Sequence, residues 1–123
     1  LPALTRALKL QKRAARVGFD WHQAADVLHK FSEEVAEIAE AMDSGGAPDR
    51  LQDEMGDLLF TCVNLARKLD IDPETALRHG NAKFERRFRM VEELLHEKGK
   101  TPEQSTLDEM ESLWPLAKSR TSL

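Results

Sequence analysis

Apolar residues recur along this chain at the three- and four-residue spacing of amphipathic helices. Leu4, Ala7, Leu8, Ala14, Ala15 and Val17, set among Lys and Arg, predict a first helix over 3–17 that Gly18 stops. Asp20, between Phe19 and Trp21, is the expected N-cap of a second helix running to about Met42. Its stripe is Leu28, Phe31, Val35, Ile38 and Met42. After the break Ser44-Gly45-Gly46-Ala47, Pro48 suits the first turn of a third helix to about Leu69, with Leu51, Met55, Leu58, Cys62, Leu65 and Leu69 inward. Asp72-Pro73 caps a fourth helix over 73–98, packing through Leu77, Phe84, Phe88, Val91 and Leu95 and ending at Gly99. Thr101-Pro102 opens a short irregular piece. Thr106 with Glu109 has the form of a capping box for a last helix to about Ser119, which Pro115 should kink or break. The expected fold is all-α, an antiparallel bundle of about five helices.

Composition narrows the class. The chain has 123 residues, 41% hydrophobic and 33% charged, enough for a single domain over 1–123. Cys62, the one cysteine, is expected to be packed in its apolar run, and the reduced cytoplasm is the natural compartment. No run of about 18 apolar residues exists, so no membrane span is expected. The chain starts at Leu1 rather than Met, which fits a piece of a longer two-domain protein.

Charge is segregated. The net charge is −4, yet residues 33–57 hold nine Asp or Glu against Arg50 alone. Glu34 and Glu37 share a helix face, as do Glu54 and Asp57, and like charges at that spacing repel unless a cation lies between them. At about 100° per residue, both pairs sit at matching offsets from their apolar stripes. An antiparallel hairpin then brings all four to one edge. Glu33 falls nearly opposite the core, as a solvated residue or a second-layer orienter.

A solvated acidic face is the plain alternative, although two pairs in matching register favour a cation site. Four oxygen donors suit Mg²⁺, with Mn²⁺ as a substitute, better than zinc or copper. A di-iron bundle would need Glu-x-x-His pairs, whereas this chain has Glu34-x-x-Glu37 and Glu54-x-x-Asp57. His29 and His79 stand apart from that pattern and read as surface or core histidines.

Arg78, Lys83, Arg86, Arg87 and Arg89 make the fourth helix basic, with Lys83 and Arg87 on one face. An acidic chain with one short basic segment does not fit nucleic acid, but it fits polyphosphate held opposite a metal. Trp114 and Lys118 offer an aromatic face and a cation, or simple packing.

Glu33-Glu34-x-x-Glu37, a 16-residue spacer and Glu54-x-x-Asp57 resemble the all-α nucleotide pyrophosphohydrolase motif of the MazG family. Gly18-Phe19-Asp20-Trp21, Asn81-x-Lys83-Phe84-x-x-Arg87-Phe88 and Leu113-Trp114 resemble the flanks of its C-terminal catalytic domain. Dimeric dUTPases and phosphoribosyl-ATP pyrophosphohydrolases are similar at the carboxylates alone. The resemblance implies Mg²⁺-dependent hydrolysis of a nucleoside triphosphate to monophosphate and pyrophosphate, by water attack at the α-phosphorus. It implies Glu34, Glu37, Glu54 and Asp57 as metal ligands, and Asn81, Lys83, Arg87, Trp114 and Lys118 around the nucleotide. Glu33 is the candidate base or orienter, by position. A homodimer that completes the bundle, and an N-terminal MazG domain beyond this piece, are implied too. A non-catalytic helical interaction module is the alternative.

Overall fold

The computed structural model describes residues 1–122 and is all-α. Five α-helices follow in order: α1 (Ala3–Ala15), α2 (Ala24–Asp43), α3 (Pro48–Lys68), α4 (Pro73–Glu97) and α5 (Leu107–Thr121). A single 3₁₀ turn, Pro102–Gln104, precedes α5, and no described residue is in a strand. No helix among the described residues is long and apolar enough to cross a membrane.

The chain divides into two compact units, Leu1–Ala76 and Leu77–Leu123. In the first, α3 packs against both α2 and α1. The α2–α3 reversal uses Gly45 and Gly46, at φ 106° and 63°, a left-handed region that glycine enters without steric cost. Gly46 N–H donates to the Ala41 carbonyl at 2.9 Å, closing α2 before Pro48 starts α3. In the second unit, Val91, Leu94 and Leu95 of α4 form a buried cluster with Leu113 and Ala117 of α5.

Several expectations need correction. The α2 seam is rotated by about one residue: Val27, Glu34 and Ala41 are buried, whereas Leu28, Val35 and Met42 are exposed. On α3 likewise Thr61, Val63 and Asn64 are buried, Met55 and Leu69 are exposed, and Cys62 is an exposed thiol rather than a core residue. The apolar arcs are wider than one neighbouring helix covers, so each is split between a buried edge and an open edge. Leu77 and Phe84 on α4 are open for the same reason.

Asp20 is not the α2 cap. Gln23 holds that position, and Asp20 instead accepts from Trp21 N–H at 2.8 Å and pairs with Arg67 and Lys68 of α3. Two half-buried cations compete more strongly for a carboxylate than a helix terminus does. Pro115 does not break α5, which runs through it. Both Pro115 and Glu111 are exposed, so water can solvate the Glu111 carbonyl that loses its donor. Thr106 Oγ1 caps α5 by accepting from Glu109 N–H at 3.2 Å. The Glu109 carboxylate does not reciprocate, because it takes Ser105 and Lys100.

Candidate metal centre and its surroundings

The α2–α3 hairpin places Glu34, Glu54 and Asp57 together, each offering a carboxylate oxygen within 4.8 Å of the others. Glu34 is only 4% exposed. Its Oε2 and the Oε2 of Glu54 are buried with no hydrogen-bond partner. Two orphaned carboxylate oxygens beside a third carboxylate are costly, and a cation would relieve that cost. The donor set is all-oxygen and therefore suits a hard divalent ion.

Glu37 lies beside this trio: the Glu54 side chain first, and then the charge of Glu34, raises its pKa. Asp57 is raised as well, first by desolvation and then by the charges of Asp53, Glu34 and Glu54. Both shifts describe negative charge without enough compensation. Thr61 lies one turn beyond and donates its hydroxyl to the Asp57 carbonyl at 2.9 Å.

Lys30 was missed from the sequence. Its Nζ lies 3.0 Å from Glu34 Oε1 and 3.8 Å from Glu33 Oε2, and the bond to Glu34 raises its pKa. The four-residue spacing to Glu34 was the available signal. Glu33 itself is exposed and also meets His29 Nε2 at 3.4 Å. Asp53, whose charge acts on Asp57, was also missed, and its four-residue spacing to Asp57 was the signal.

The other candidate residues lie in the second unit. Asn81, Lys83 and Lys118 are exposed, while Arg87 and Trp114 are half-buried. Lys83 and Arg87 make no ion pair among the described residues, whereas the neighbouring Arg89 pairs with Glu85. Phe84 stacks on Phe88 with ring centroids 6.0 Å apart and leans on Trp114 at 5.8 Å. Because α5 continues past Pro115, Lys118 stays one turn beyond Trp114 on the same face.

Comparison with known proteins places the chain among relatives. The family model described as the MazG nucleotide pyrophosphohydrolase domain matches residues 22–92. The chain is 42% identical over 118 residues to the nucleoside triphosphate pyrophosphohydrolase/pyrophosphatase MazG of Thermotoga maritima, covering 96% of this chain and 45% of that protein. It is 47% identical over 119 residues to the nucleoside triphosphate pyrophosphohydrolase of Escherichia coli, with the same 96% and 45% coverage. The uncharacterized protein YabN of Bacillus subtilis is 45% identical over 118 residues, which is 24% of its length. The chain thus spans less than half the length of the curated relatives it matches. With the model matching more than half of the chain, this protein belongs to the MazG nucleotide pyrophosphohydrolase domain family.

Proposed function

We propose that this chain hydrolyses nucleoside triphosphates to the monophosphate and pyrophosphate in the presence of Mg²⁺. The observation that carries the reading is the pair of buried, unpartnered oxygens on Glu34 and Glu54, with Asp57 within 4.8 Å. Glu34, Glu37, Glu54 and Asp57 would hold the ion, with Mn²⁺ as a substitute. When bound, a hard divalent ion would lower the pKa of water and polarise phosphoryl oxygens. Glu33 orients or deprotonates the attacking water, which adds to the α-phosphorus as the α–β bridging oxygen leaves with pyrophosphate. Lys83 and Arg87, uncommitted to carboxylates, bind phosphate oxygens and offset charge that develops on the leaving group. Asn81, Trp114 and Lys118 contact the nucleotide.

The active form in this reading is a homodimer. The exposed apolar residues Leu28, Val35 and Met42 on α2 and Met55 and Leu59 on α3 support it, because contiguous apolar helix faces favour a partner. In the whole protein a related N-terminal domain accompanies the piece.

The test is product analysis on a panel of ribo- and deoxynucleoside triphosphates with Mg²⁺, beside Glu37→Gln and Asp57→Asn. Monophosphate plus pyrophosphate from the wild type, lost in both variants, is expected. Orthophosphate plus diphosphate would place the attack at another phosphorus. No turnover of any substrate would favour the non-catalytic module.

A further inference from the structure

The outer face of α1 carries charge of a single sign. Residues 1–19 hold Arg6, Lys9, Lys12, Arg13 and Arg16 and no Asp or Glu. At about 100° per residue, Arg6, Lys9, Arg13 and Arg16 fall within an arc of about 80°. That arc is centred opposite Gln11, the buried residue of α1, which faces α3 and donates to the Phe60 carbonyl at 2.9 Å. All four basic residues are exposed.

These cations are uncompensated. None of the four forms an ion pair among the described residues. Lys30, Arg50, Arg67, Lys68, Arg89 and Lys100, by contrast, each meet a carboxylate within 4.0 Å. Steps of three and four residues join Arg6 to Lys9, Lys9 to Arg13 and Arg13 to Arg16, and like charges at that spacing weaken a helix. Arg6 also lies near the helix N-terminus, the end that favours anions. Among the described residues nothing offsets that cost, whereas an anionic partner would.

We infer that this face of α1 docks an acidic helix of another protein. Successive cations rise by about 4.5–6 Å along the axis, at ~1.5 Å per residue. Glutamates at three- and four-residue steps on a second helix have the same rise, so one carboxylate meets each cation along about 15 Å. Three of the four cations are arginines, whose planar guanidinium takes a carboxylate through two hydrogen bonds. A nucleic-acid strand is served less well: no aromatic residue of α1 is there to stack a base, and the chain's net charge is −4. An anionic membrane would need an apolar edge to insert, and Leu4, Ala7, Leu8, Ala14 and Ala15 are half-buried instead.

Fluorescence anisotropy with three labelled probes tests this docking surface. They are a helical peptide with glutamates at alternating three- and four-residue steps, a peptide of the same composition in scrambled order, and a short oligouridylate. The patterned peptide should bind more tightly than the other two and weaken as salt rises. Combining Arg6→Gln, Lys9→Gln, Arg13→Gln and Arg16→Gln should weaken it about tenfold, the scale of four exposed ion pairs. The same variant should melt no lower than the wild type, because the repulsion along α1 is gone. If it does not fold, NMR shifts of the wild type on adding the peptide decide, and they should centre on residues 6–16. Tighter binding of the oligouridylate would make the face a nucleic-acid site and overturn the docking surface. So would no binding of the patterned peptide, equal binding of the two peptides, full binding by the variant, or shifts away from α1.

Discussion

Lys30 Nζ lies 3.0 Å from Glu34 Oε1, while Oε2 of the same carboxylate is buried with no partner. One half of Glu34 is thus neutralised within its own helix and the other half is left uncompensated. Lys30→Gln should lower the stability of the metal-free protein by about 1 kcal/mol, a value kept small by the exposure of Lys30. It should also tighten divalent-ion binding several-fold, because a competing positive charge is gone. Calorimetric titration with Mn²⁺ measures this, and unchanged affinity would mean that Lys30 does not compete for the site.

Asp57→Asn should act with opposite signs on two observables. The folded-state pKa of Asp57 is raised, so its ionised form costs stability at neutral pH, and that cost is relieved as pH falls toward the carboxylate range. Without metal, the variant should therefore unfold at a higher temperature than the wild type at pH 7. Its gain on adding Mg²⁺ should shrink, whereas a wild type at a hundredfold excess over Kd gains about 2.7 kcal/mol. Thermal melts with and without Mg²⁺, for Asp57→Asn and Glu34→Gln, provide the comparison.

Asp20 gives a pH signature of the opposite kind. The Arg67 side chain, with Lys68, holds its carboxyl well below the usual range. Its contribution is complete above an unfolded-state pKa of about 3.9 and is lost as pH falls through the lower folded value. Asp20→Asn should cost about 2 kcal/mol at pH 7, less than the ~3–5 of a fully buried pair. Urea unfolding should show the gap narrowing below about pH 4. A gap that does not depend on pH would indicate packing rather than charge.

Pro115→Ala should stabilise the protein by about 1 kcal/mol or more, since the substitution returns a donor to the Glu111 carbonyl inside a continuous helix. Denaturant midpoints would show it. A loss of stability instead would mean that the proline ring makes packing contacts worth more than the missing bond.

Local rules, read from residue order alone, were enough for the helices and the reversal between α2 and α3. Capping by Asp72, whose Oδ2 accepts from Thr75 N–H at 3.0 Å, and Pro48 at the start of α3 each depend on neighbours a turn away. So does the placement of each acidic pair on a helix face, which 3.6-residue geometry dictates. Helical periodicity could not decide which side of a wide apolar arc a neighbour covers. It therefore missed the burial of Glu34 and the exposure of Val35, one residue apart. Nor could it find a pair 47 residues apart such as Asp20 with Arg67, where two cations from α3 outweighed the cap that local rules assigned. Residue order dictates what each stretch becomes and which residues share a face, because those are one-turn effects. Which of those faces lose water, and with it which carboxylate oxygens lie buried without partners, depends on how the helices pack against one another.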